Sequence, residues 1–141
     1  KMQVRQNSPM ILESVSAIVD TLKLGKTVEN VPQMLNALFR PSVQPFLISD
    51  FAVDPAAELQ KIECPVLIIQ GDKDIQVGVG EANLLHDARP ASQLVVIQDM
   101  NHVLKECTST DMAVQMETYV TSDIGIKPQV AREIADFLDK L

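Results

Sequence analysis

The stretch Cys64-Pro65-Val66-Leu67-Ile68-Ile69-Gln70-Gly71-Asp72-Lys73-Asp74 decides the fold. Its apolar run is β-branched, uninterrupted and closed by a glycine. Such a run suits a strand of a parallel sheet buried on both faces, and Cys64 at its head reads as buried. A second run of this kind, Leu94-Val95-Val96-Ile97, lies downstream, and residues 81–87 between the two have helical texture. Residues 103–126 fit no single period and read as part loop, part helix. Pro128 then opens a final helix with Val130, Ile134, Phe137, Leu138 and Leu141 on one face. Strand, helix, strand, loop, helix is an α/β arrangement, a βαβα unit with parallel strands and a right-handed crossover. Two strands leave open edges with unpaired backbone groups, so this unit expects further strands beside it.

Upstream the texture is different. Residues 8–50 read as short, proline-punctuated helices with no strand between them. Ser8 is a suitable N-cap and Pro9 a suitable first helical residue. Ile11, Val15, Ile18 and Leu22 form one apolar face, and Gly25 suits the position just past the helix end. A second helix is expected to be opened by Asn30 and Pro32, to carry Met34, Leu35, Leu38 and Phe39, and to stop before Pro41. A third holds Val43, Phe46 and Leu47. Asp54-Pro55 opens a further short helix through Leu59.

Composition narrows the function classes. The chain has 141 residues, 46% of them hydrophobic and 22% charged, too apolar for a disordered state. No apolar run approaches the ~20 residues that span a bilayer. The net charge is −7. Residues 1–50 carry five basic and four acidic groups, and residues 51–141 carry seven basic and fifteen acidic ones. With no basic stripe, nucleic acid and anionic membrane are poor partners. Two cysteines, Cys64 and Cys107, give no disulfide framework and leave the redox compartment, and with it the localisation, open. Cys64, Cys107, His86 and His102 lack zinc-ligand spacing. Gly78-Val79-Gly80 fails as a dinucleotide loop, because Asn83 stands where the third glycine belongs. No cofactor or metal is expected.

Chemistry gathers at the carboxyl ends of strands in open α/β sheets. Gly71-Asp72-Lys73-Asp74 follows the first strand, and Asp99-Met100-Asn101-His102 follows the second. Asp74 and His102 therefore stand on adjacent loops. A carboxylate beside an imidazole fixes its tautomer and stabilises the imidazolium, which is two-thirds of a nucleophile–base–orienter triad. Asp72 reads as a turn or surface carboxylate, His86 as solvent-facing, and Asn101 as a residue that orients the His102 loop.

With those residues placed, Phe51 to Lys105 resembles the C-terminal part of an α/β-hydrolase of the lysophospholipase and serine-aminopeptidase-like kind. The resemblance rests on Asp54-Pro55, Leu59, Cys64–Ile69, Gly71-x-x-Asp74-x-x-Val77, the second strand and Asn101-His102. It implies that residues 51–141 hold the last two parallel strands of a partial α/β-hydrolase fold, and that residues 1–50 are a helical lid. It also implies that Asp74 is the triad acid and His102 the general base, acting on a small-molecule ester or amide without a cofactor. None of the eight serines has the glycines of Gly-x-Ser-x-Gly. The nucleophile and oxyanion hole are therefore expected outside this chain, the chain being a C-terminal fragment, inactive alone. The six methionines read as core and lid filler, and the alternative for Met10 and Met34 is an acyl pocket in the lid.

Two other readings fit the residues. One is a metal-dependent phosphatase-like enzyme with Asp72 and Asp74 on Mg²⁺. The other is a non-catalytic module whose open sheet edge pairs with another chain, including a second copy of itself.

Overall fold

The computed structural model describes residues 9–141. The chain divides into two compact units, Lys1–Asp54 and Pro55–Leu141.

The described part of the first unit is helical. Helix α1 (Pro9–Lys23) starts on the expected proline, whose missing N–H is of no consequence in a first turn. Its reading as a helix capped by Ser8 lies outside the described residues. At its other end the Gly25 N–H donates to Leu22 O and the Lys26 N–H to Thr21 O, at 2.9 and 3.2 Å. This is the paired bonding of a Schellman motif, and it requires the left-handed φ of +73° that Gly25 adopts. The single helix expected after Pro32 is instead a 3-10 turn, Gln33–Leu35, running into a short helix α2 (Asn36–Phe39). Helix α3 (Gln44–Phe51) packs on α1. Ile18, Leu22, Leu35 and Phe39 form the core, with Val15, Leu47 and Phe51 among the residues against it. Gln44 lies fully buried beside them. Its Oε1 accepts from the Val28 N–H, and its Nε2 donates to Val28 O and Phe39 O. These bonds tie the loop after α1 to the start of α3.

The second unit is a mixed α/β arrangement: α4 (Pro55–Gln60), β1 (Leu67–Gly71), α5 (Val79–Ala88), β2 (Gln93–Ile97), α6 (Met112–Val120) and α7 (Pro128–Leu138). Strands β1 and β2 pair in parallel, from Leu67 beside Gln93 to Gly71 beside Ile97. Among the described residues they form the whole sheet, and no helix is long and apolar enough to cross a membrane. Odd-numbered residues share one sheet face. There Ile97, Met100 and α7's Val130 form a core with Ile69, Val95 and Leu104. The expectation of two buried faces is corrected on the other side, where Ile68 and Leu94 are half-buried and Val96 is exposed. Cys64 is also exposed rather than buried, because it precedes the strand instead of lying in it. Arg89, just past α5, donates to the carbonyls of Ile62 and Cys64 and so anchors the approach to β1.

Candidate functional site

The parallel pairing carries the loops after β1 and β2 to the same sheet edge. There they are joined by more than proximity. The Asp72 N–H donates to Ile97 O at 3.1 Å and the Lys73 N–H to Met100 O at 3.0 Å. Asp72 Oδ1 accepts from the Asp99 N–H at 2.6 Å. A Cβ on Gly71 would stand 2.1 Å from Met100 O, so glycine is what lets the two loops approach this closely. In the second loop Asp99 and Leu104 have left-handed φ values of 52° and 61°. Such conformations in non-glycine residues cluster where surrounding structure imposes a local geometry.

The joined loops bring Asp74 and His102 together, with His102 Nδ1 2.9 Å from Asp74 Oδ2. The Asp74 side chain is only 6% exposed, the His102 side chain 39%. Oδ1 of Asp74 accepts from the backbone N–H groups of Gln76 and Val77, at 2.8 and 2.9 Å. Oδ2 also accepts from Gln70 Nε2 at 3.2 Å. The carboxylate thus has four donors, one for each of its acceptor sites. Burial pushes the Asp74 carboxyl up, yet the hydrogen bonds from Val77, His102, Gln76 and Gln70 together hold it below its ordinary value. An ionised carboxylate only accepts, so Nδ1 is the protonated nitrogen of the neutral imidazole. Nε2 then carries the lone pair on a partly exposed ring, which is the arrangement a general base needs.

Asp72 is used differently. Besides the Asp99 N–H it takes Lys73 Nζ at 2.7 Å, and Lys73 Nζ lies 3.8 Å from Asp99 Oδ1. The Lys73 hydrogen bond, with those from the Asp99 and Met100 backbone, holds the Asp72 carboxyl below its usual value against the opposing effect of burial. The same pair raises Lys73 above its usual value. Asp72 is thus a turn carboxylate that fastens one loop to the other. Among the described residues no group of three or more His, Cys, Asp or Glu side chains is placed to hold a metal ion.

His86 is not the solvent-facing residue the sequence suggests. Its Nδ1 lies 3.0 Å from Ser92 Oγ, which itself donates to Arg89 O, a local tie between α5 and β2. Met10 and Met34 do come together within the first unit. With Ile11, Ser14, Pro32 and Leu35 they line an apolar groove of about 160 Å³.

Several residues at the site escape a sequence reading. Gln70 has the only signal of the three, a polar residue at the end of an apolar strand; its Nε2 also donates to Val77 O at 2.8 Å, which shapes the acid loop. Gln76 Nε2 donates to the hydroxyl of Tyr119 on α6. Gln115, also on α6, is fully buried and donates to Lys73 O at 2.9 Å.

A scan against protein-family models, a search of curated proteins and a search of solved structures each return no match to this chain. Its chemistry therefore rests on its own residues.

Proposed function

We propose that residues 51–141 supply the acid and the base of a serine hydrolase acting on carboxylic esters, with amides as the secondary substrate class. The observation that carries this reading is the Asp74–His102 pair. It joins a shielded, fully hydrogen-bonded carboxylate to the Nδ1 of an imidazole whose side chain is partly exposed. In the proposed reaction a serine outside these 141 residues attacks the acyl carbon. His102 Nε2 takes the serine proton and returns it to the departing alkoxide. Water then attacks the acyl-enzyme through the same nitrogen and releases the acid. Asp74 keeps Nδ1 protonated and stabilises the imidazolium in both halves. The helices of residues 1–50 are proposed as the lid, and the Met10–Met34 groove as a place for an acyl chain.

The experiment compares short-chain ester hydrolysis by the 141-residue chain and by a longer protein that joins it to a strand–Gly-x-Ser-x-Gly–helix segment. The longer protein is expected to turn over and the 141-residue chain to be inert. Hydrolysis by the isolated 141-residue chain would overturn the proposal.

A further inference from the structure

Helix α6 belongs to the segment with no clear period in the sequence. Among the described residues it is the one helix hydrogen-bonded to both loops that carry the dyad. Towards the base loop, Asn101 Nδ2 donates to Thr118 Oγ1 at 2.6 Å, while Asn101 Oδ1 accepts the Lys105 N–H at 3.0 Å. Lys105 Nζ donates to the carbonyls of Thr118 and Thr121, at 2.9 and 2.8 Å. A cation at the last carbonyls of a helix is favourably placed in its dipole field. Towards the acid loop, Gln115 Nε2 donates to Lys73 O and to Ser109 O, at 2.9 and 2.6 Å, and Gln76 reaches Tyr119. Thr118 Oγ1 donates to Gln115 O at 2.7 Å, which connects the two sides within the helix.

The bonds close into a ring. His102 is followed back to Asn101, then Thr118, Gln115 and Lys73, and the chain returns through Asp74 to His102. Asn101, Thr118 and Gln115 are all buried. Buried polar groups rarely remain without strong constraint on their partners' positions. A helix needed only for packing would bury apolar residues, yet Gln115 and Thr118 are the buried residues of α6.

From this ring we infer that α6 is a brace for the dyad, with Asn101, Thr118 and Gln115 as positioning residues that set the Asp74–His102 distance. The inference deepens the hydrolase reading and rests on it only in treating the dyad as an acid–base pair. The brace is a property of the 141 residues themselves.

The test is the ring Nδ1–H proton of His102, observed by NMR in the ¹⁵N-labelled 141-residue chain and assigned by its absence from His102→Gln. Thr118→Val keeps the shape of the side chain and removes the hydroxyl. It should move this resonance upfield and speed its exchange with water by roughly fivefold to tenfold, the factor that one hydrogen bond's net contribution sets. Thr118→Ser should restore the parent spectrum. Gln115→Met, of similar volume, should act in the same direction as Thr118→Val and decides the matter if that variant does not fold. An Nδ1–H signal unchanged in the folded variants, with only the unfolding midpoint lowered, would reduce α6 to a packing element and overturn the inference. Ester turnover by the longer protein is a separate readout, so a failed brace and a failed hydrolase reading give different results.

Discussion

In the unit of residues 1–54 the central buried amide serves the backbone. Gln44 spends both ends of its side chain on backbone groups of Val28 and Phe39. In the unit of residues 55–141 the buried polar groups other than Ser92 converge on one place. Gln70, Asn101 and Gln115 all bond to a loop that carries Asp74 or His102, and Oε1 of Gln115 has no partner among the described residues. A buried acceptor without a donor is unfavourable. The contrast separates polar burial that closes a fold from polar burial that gathers around the Asp74–His102 pair.

The strongest way to sharpen that contrast is Asp74→Asn in the longer protein. The amide offers Nδ1 no carboxylate and permits the wrong tautomer, so ester turnover should fall by up to ~10⁴, while a calorimetric melt shows the fold retained. Near-normal turnover would remove Asp74 from the chemistry. In the helical unit the largest effect belongs to packing. Leu22→Ala empties a fully buried site among Ile18, Leu35 and Phe39 and should cost about 2–5 kcal/mol in urea unfolding.

Gly71→Ala comes next. Its Cβ meets backbone rather than a flexible side chain, so β1 and the Met100 turn must separate, at about 1–3 kcal/mol. Crystallography of this variant should show a lengthened Asp74–His102 distance. Asp111→Ala removes the N-cap of α6, whose side chain accepts from the Ala113 and Val114 N–H groups. The expected loss is about 1 kcal/mol, with faster amide exchange in the first turn of the helix.

The most gradual effect is that of pH. Asp72 and Asp74 are both held below the ordinary carboxyl value of 3.8. As pH falls the unfolded chain takes up these protons first, so the stabilisation is complete above that value and disappears as pH drops through the folded-state values. Acid unfolding followed by circular dichroism should show Asp74→Asn less sensitive to pH below about 4 than the parent chain.

The sheet and the dyad were legible for plain reasons. Two apolar runs ending at Gly71 and Ile97 have only one comfortable use, and a parallel pair must carry its following loops to one edge. The pairing of Asp74 with His102 follows from that geometry. Helix α6 was not legible, because its apolar residues mark the wrong side. Met112, Val114, Met116 and Val120 alternate like a strand and are exposed, while polar Gln115 and Thr118 face inward. Asp111 after Thr108-Ser109-Thr110 was a usable N-cap signal for its start. Cys64 and His86 went astray for the opposite reason. Burial at a strand's entrance and a hydrogen bond across an α5–β2 turn depend on neighbours that no local period encodes.

The role of the pair is decided by a fluorophosphonate probe applied to the longer protein, with the adduct mapped by mass spectrometry. A single serine in a Gly-x-Ser-x-Gly turn should be labelled, at a rate that falls by about 10²–10⁴ in His102→Ala, the span that a general base contributes. A serine labelled equally fast without His102, or no labelled serine at all, would contradict the assignment of Asp74 and His102 as acid and base of a serine hydrolase.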